Sequence, residues 1–425
     1  MASIKEKVIS FLRSTEKYTK TDMVYFTKNN FWLNLNRVSG IANGLILSVA
    51  FAHLLTKEAY GTYSFVLAAL GIFSMAQTTG LGSGIIKGVA RKENHVVMQG
   101  LRKVLPWSLV GATGLLGLSI YYFAKGNIEL FIPFLLGAIV LPISVSNGIA
   151  KSFLSNRGDF GWLARFNLIR TPIVTIIIVL VGWHTRSALF ILVANILTNT
   201  ILGSILYTKI RKLHDFSTPA EPKEHFDSRF AFHSGLLSIF GYLSEKIDSI
   251  LLWKFLGAAP VAVFTYATTP VRELRSLIEN QSLLALPKFA QKSFSEVQSN
   301  LFFRIKQLYV LAIPLALGYV LFAPLIFKFL FPQYIEAVGL SQLAAISLLS
   351  SPRKMLGVAI SAQHLVKESY IMTLLPNLIR IVAAFSLIPP FGIKGAVWAL
   401  IITEIVDYAI LGILMRKMKT EHTII

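Results

Sequence analysis

The sequence predicts an all-α, polytopic membrane protein of about twelve transmembrane helices, arranged as two six-helix lobes around a central cavity. Three observations carry this. The 425-residue chain is 54% hydrophobic with a mean hydropathy of +0.62. Only 15% of its residues are charged, against about 25% in typical soluble domains. Apolar stretches long enough to cross about 30 Å of hydrocarbon, which takes about 20 helical residues, recur along almost its whole length.

The predicted spans cover 31–55, 62–86, 104–124, 128–150, 166–183, 187–208, 231–256, 261–286, 305–327, 335–362, 369–388 and 394–415. The distribution of lysine and arginine supports this division. With twelve spans, the termini and even-numbered loops share one side and carry 26 of these residues. The odd-numbered loops carry 5, namely Lys57, Lys125, Arg186, Lys328 and, at the very edge of the last span, Lys394, and 10 fall inside spans. Cytoplasmic loops hold the positive excess, so both termini are expected in the cytoplasm. Residues 1–28 are basic without the apolar core of a signal peptide. Ile4, Val8, Phe11 and Leu12 share a helical face there, which predicts a short amphipathic helix on the cytoplasmic membrane surface.

The polar stretch 209–230 divides the chain into an N-lobe at 29–208 and a C-lobe at 231–416, with a cytoplasmic linker between them and a tail at 417–425. Weak internal similarity follows the same division. "LLTKEAYGTYSF" at 54–65 resembles "FLGAAPVAVFTY" at 255–266, and "RSALFILVA" at 186–194 resembles "KGAVWALII" at 394–402. Each pair is separated by an even number of spans, so the halves would be parallel repeats related by an axis along the membrane normal.

The eighth span is unusual in holding "ATTPVRELRSLIENQ" at 267–281. On a helical wheel Thr268, Arg272, Glu273, Arg275, Ser276 and Glu279 occupy one arc, and Val271, Leu274, Leu277 and Ile278 the opposite one. A charge at the membrane centre costs about 2.5 to 3.5 kcal/mol on the insertion scale, so four facing lipid would be hard to sustain. The polar arc is therefore expected to face a wet interior. Arg37, Lys246, Asp248, Arg353, Lys354, Arg380, Glu404 and Asp407 also lie within spans. Two readings of this set stand side by side. The charges form interhelical ion pairs, with Arg272 to Glu279 and Lys246 to Asp248 as candidates. Alternatively, the bases exceed their acidic partners and line a cationic cavity. Arg37, Arg272, Arg275, Arg353, Lys354 and Arg380 are the candidate anion-binding residues, because a guanidinium fork matches phosphate and stays charged when desolvated. Asp248, Glu273, Glu404 and Asp407 are candidates for binding a coupling proton or sodium ion.

Other chemistry is excluded. The chain has no cysteine, hence no disulfide and no thiolate metal site. No HExxH, G-x-S-x-G or Walker A pattern occurs. "TTGLGSGIIKG" at 78–88 is rich in glycine, but no Gly-Lys-Ser/Thr follows it. No cofactor, metal or nucleic acid is expected, and the outer loops are too short to house an enzyme's reaction centre.

Several stretches carry a family resemblance. "LLTKEAYGTYSFVLAALGIFSMAQTTGLGSGIIKGVARKE" at 54–93 looks like the first helical hairpin of bacterial polysaccharide flippases. These are the O-antigen or Wzx type within the multidrug, oligosaccharidyl-lipid and polysaccharide exporter superfamily. "EKIDSILLWKFLGAAPVAVFTYA" at 245–267 with "LPKFA" at 286–290, and "FGIKGAVWALIITEIV" at 391–406, resemble its second half and last span. The resemblance implies a secondary transporter of the bacterial cytoplasmic (inner) membrane, not an enzyme. It would move a polyprenyl-pyrophosphate-linked oligosaccharide from the inner to the outer leaflet for lipopolysaccharide or another surface polysaccharide. A polysaccharide polymerase and assembly proteins would be its partners alongside membrane lipids. Asp248 matches an acid common in this segment of the family. A cation-coupled exporter of drugs or metabolites on the same fold, and a non-transporting scaffold of envelope assembly, are the alternatives.

Overall fold

The computed structural model describes residues 23–217, 225–283, 294–362 and 366–422. The amphipathic segment predicted on Ile4, Val8, Phe11 and Leu12 lies outside them, as does "LPKFA" at 286–290. Among the described residues every regular element is helical. This is the expected outcome for a chain in lipid, where a helix satisfies its own backbone hydrogen bonds.

The first half comprises α1 (Met23–Leu54), α2 (Lys57–Ala90), α3 (His95–Ala124), α4 (Ile128–Arg157), α5 (Phe160–Thr185) and α6 (Ala188–Leu213). The second begins with α7 (Ser228–Leu256), α8 (Ala258–Leu283) and α9 (Phe294–Leu330). The tenth crossing is broken. A 3₁₀ turn at Pro332–Ala337 leads into α10 (Val338–Ala344), a 3₁₀ segment (Ala345–Arg353) and α11 (Lys354–Ala362). Finally α12 (Val366–His422) bends at Gly392, whose φ of 58° lies in the left-handed region, so that one long helix supplies spans eleven and twelve. Gly257, at φ 86°, makes the one-residue turn between α7 and α8.

Eight stretches are long and apolar enough to cross a membrane by length and composition, and the last of them, Tyr370–Leu414, runs through the Gly392 bend. α7 and α8 are of spanning length but fall outside that set. Their charged residues, Glu245, Lys246 and Asp248 on one and Arg272, Glu273, Arg275 and Glu279 on the other, lower their hydropathy. Both line the interior.

Within the first half α2 packs on α3 and α4, α4 on α3 and α6, and α1 on α5. In the second half α12 packs on α7, while the broken crossing packs on α8 and α9. The lobes meet chiefly where α2 lies against α7 and α8. Gly61 makes the closest approach: a Cβ there would sit 1.9 Å from the Ala258 carbonyl oxygen. Around this crossing, Phe51, Tyr60, Tyr63, Phe65, Tyr266, Phe327, Phe331 and Tyr334 form a buried cluster drawn from both lobes. Phe65 stacks on Trp253 with centroids 4.3 Å apart, and Tyr266 on Tyr334 at 3.8 Å. Large exposed apolar residues such as Ile120, Phe123, Ile176, Leu317, Leu321 and Phe329 cover the periphery. In a bilayer that surface needs no further covering, so the lobes are held by close packing and interhelical polar contacts.

Candidate functional site

Between the lobes lies a cavity of about 650 Å³. Among the described residues the first lobe contributes only α2 to its lining, through Tyr60, Tyr63, Ser64, Leu67 and Ala68, and the second lobe supplies the rest from α7, α8, the 3₁₀ segment and both arms of α12. Its aromatic end is closed. Tyr60 lies against Tyr266 (4.7 Å) and Tyr334 (6.5 Å), and the Tyr266 hydroxyl donates to the Ser48 carbonyl of the opposite lobe at 2.8 Å. Beside this cluster the Lys57 ammonium bridges to Glu336 at 2.8 Å.

Of the ten charged residues predicted for the site, Arg272, Arg275, Arg353, Arg380, Glu404 and Asp407 line this cavity. Asp248 stands directly behind Arg380 and is 0% exposed. Arg37, Lys354 and Glu273 are not among the lining residues. Arg37 instead reaches the Ser276 carbonyl at 3.4 Å, which ties α1 to α8. Lys354 is exposed. Glu273 accompanies Arg272 at 4.0 Å, and both are about half exposed.

The structure rearranges the expected ion pairs. Glu279 pairs with Arg275 at 2.5 Å, one helical turn away, rather than with Arg272. Asp248 pairs with Arg380 across helices, and Lys246 turns to its neighbour Glu245 at 2.8 Å. The α8 wheel holds for Ile278, which is buried, and for Arg272, which faces the cavity. Leu277 on its apolar arc is exposed at the periphery.

The deepest charges form one network. Arg275 contacts Glu279 and Glu404, and Arg353 contacts Asp407 together with Glu404 at 2.8 Å. The Ser350 hydroxyl donates to the second Glu404 oxygen at 2.8 Å, and Arg353 donates to the Glu404 carbonyl at 3.3 Å. Three carboxylates thus serve two guanidiniums and bind α8, the 3₁₀ segment and the second arm of α12 together. Arg275, Arg353 and Arg380 each hold a carboxylate, so the ion-pair reading applies to these three. A partly dry interior forces this result, because an unpaired buried charge is expensive. Arg272 differs: it lines the cavity, is 53% exposed, and its carboxylate contact is at 4.0 Å.

Other cavity features carried no strong sequence signal. Tyr242 stands one turn before Lys246, whose ammonium lies 5.5 Å from its ring. Asn377 stands one turn before Arg380. A polar chain also runs from the cavity wall into the first lobe. Asn195 donates to the Tyr63 hydroxyl at 3.1 Å, Asn199 donates to Asn195, and Arg170 of α5 donates to Asn199. Arg170 lies inside the predicted fifth span, and its charge was the one available sign of this chain. Among the described residues no cluster of histidine and carboxylate side chains could hold a metal ion.

Residues 26–291, more than half of the chain, match the sequence model of a family described as "Polysaccharide biosynthesis protein". No curated protein matches in sequence. Among solved structures the fold is similar to "Lipid II flippase MurJ, inward closed conformation", with a TM-score of 0.73 at 14% identity over 92% of this chain and 87% of that one. It is similar to an inward-facing multidrug resistance MATE family transporter of the MOP superfamily, with a TM-score of 0.64 at 14% identity over 89% and 94%. A MOP superfamily transporter from Pyrococcus furiosus gives 0.63 at 15% identity over 92% and 95%. Likeness at these identities is likeness of fold. The chain has the fold of the MOP superfamily transporters, and it belongs to the polysaccharide biosynthesis protein family.

Proposed function

We propose that the protein is a flippase for a polyprenyl-pyrophosphate-linked oligosaccharide, an O-antigen or other surface polysaccharide repeat unit. It would move its cargo from the inner to the outer leaflet of a bacterial cytoplasmic membrane, with both termini in the cytoplasm. The carrying observation is Arg272, a cavity-lining arginine whose side chain is half exposed and which, among the described residues, has no carboxylate closer than 4.0 Å. Such a group offers two parallel N–H donors to a phosphate without first giving up an ion pair. The paired arginines Arg275, Arg353 and Arg380 shape the site and set its field, while hydroxyls and amides such as Thr268, Thr373 and Asn377 suit a sugar. The lobes, taken as 29–208 and 231–416, would rock about this cavity to expose it to either leaflet. Asp248, Glu404 and Asp407 are the groups that would carry a coupling proton or sodium ion. Surface polysaccharide polymerase and assembly proteins would take up the product.

The test is transport by single variants of Arg272. Arg272→Ala should abolish surface polysaccharide in cells that depend on this protein, with normal membrane levels and melting temperature, and Arg272→Lys should retain part of it. Normal polysaccharide in the alanine variant would overturn the assignment.

A further inference from the structure

A second cavity, of about 580 Å³, lies where the start of α3 and the end of α6 meet the polar segment that follows α6. Both helices pack against α4, and the cavity shares no lining residue with the central one. Arg102 stands just ahead of the third predicted span and Arg211 just after the sixth, so both guanidiniums sit at the depth of lipid head groups. The lysine and arginine bias assigns this side to the cytoplasm. We infer that the cavity binds one anionic phospholipid, with its phosphate between Arg102 and Arg211 and an acyl chain along α3.

Charge complementarity carries the assignment. Among the described residues neither Arg102 nor Arg211 forms a hydrogen bond or ion pair, although both line one cavity. The single acid among the described lining residues, Asp215, is already engaged: it accepts the Ser217 N–H at 2.8 Å and the Ser217 hydroxyl at 2.7 Å. Those two bonds hold its carboxyl below the usual range. Two fixed positive charges against one negative leave room for one more negative charge, which fits the phosphodiester of a glycerophospholipid better than a pyrophosphate. The turn is anchored, since Phe216 packs on Phe153 with ring centroids 5.3 Å apart. Phe216, Met98 and Leu101 make part of the wall apolar. From Leu101 the exposed Leu105 and Leu109 follow at one-turn intervals down α3 and continue that wall into the hydrocarbon. A soluble anion has no use for such a stripe, whereas an acyl chain does. Basic pockets between helices on the cytoplasmic side are a known form of lipid recognition.

The experiment uses the full chain in mixed micelles with phosphatidylglycerol, phosphatidylethanolamine or phosphatidylcholine, with bound lipid counted by native mass spectrometry. The expected result is retention of phosphatidylglycerol over the two zwitterionic lipids. Arg102→Gln with Arg211→Gln should weaken that retention by about fivefold per arginine removed. Phosphatidylcholine adducts and the melting temperature in phosphatidylcholine should not change, because both side chains are exposed and unpaired. Equal phosphatidylglycerol retention by the parent and the double variant would overturn the site. So would displacement of phosphatidylglycerol by glycerol 3-phosphate at equal concentration, which would make it a site for a soluble anion. Displacement by polyprenyl pyrophosphate would make it a docking point for cargo and would likewise overturn the inference.

Discussion

Arg272 and Arg275 stand one turn apart on α8 and have opposite surroundings. Arg275 is held by Glu279 and Glu404, whereas Arg272 projects into the cavity with Glu273 at 4.0 Å. One guanidinium holds helices together and its neighbour is free to meet a ligand.

Arg275→Ala is therefore expected to damage the fold before it damages transport. Removing one partner of a buried pair costs about 3 to 5 kcal/mol, because the remaining charge loses its compensation. Glu404 retains Arg353 and Ser350, which places the loss at or below the lower end of that range. Glu404→Gln in the same background should recover part of the loss. A double-mutant cycle on melting temperature would show coupling between the two positions. Additive effects would mean that the contact contributes little.

The aromatic cluster separates two tyrosines that look alike in sequence. Tyr266 donates to the Ser48 carbonyl, but the Tyr334 hydroxyl is buried without a hydrogen-bond partner among the described residues. Tyr334→Phe should be neutral or stabilising, because it removes an unsatisfied buried group. Tyr266→Phe should cost about 1 kcal/mol, the usual net value of one hydrogen bond. Thermal unfolding of the two variants side by side decides this, and a larger loss in Tyr334→Phe would reveal a partner for that hydroxyl.

At the crossing of α2 and α8 there is no space for a side chain. A Cβ on Gly61 would lie 1.9 Å from the Ala258 carbonyl oxygen, so backbone must move. Gly61→Val should weaken the closure of the lobes at this end and raise labelling of a cysteine introduced at Tyr60. The chain has no native cysteine to confuse the readout. Unchanged labelling would show that closure does not depend on this contact.

The bridge between Lys57 and Glu336 links the lobes beside that crossing. Lys57→Cys with Glu336→Cys, joined by a short bismaleimide, should stop transport while leaving membrane levels unchanged. Each single variant treated in the same way should remain active. Continued transport by the joined protein would mean that the lobes need not separate here.

Much of the fold was legible because the bilayer imposes a simple rule: an apolar stretch of fixed length becomes a helix. The bend at Gly392 also follows the predicted boundary between spans eleven and twelve, where "PPFG" interrupts the apolar run. The broken course of the tenth crossing, through two 3₁₀ segments, had no comparable sign in its apolar pattern. The candidate site was legible in part. Charged residues inside spans must avoid lipid, and that physical demand brought six of the ten predicted residues to one cavity wall.

By itself, then, the sequence determined that this chain is a helical membrane protein with charges turned inward, since hydropathy and the cost of exposing charge to lipid are local properties. Only the tertiary structure decided which charges neutralise one another. Glu404 chooses Arg275 and Arg353, Asp248 chooses Arg380, and Arg272 is left with its loosest contact. Those choices depend on distances between helices far apart in the chain, and such distances are set by packing, which no helical period records.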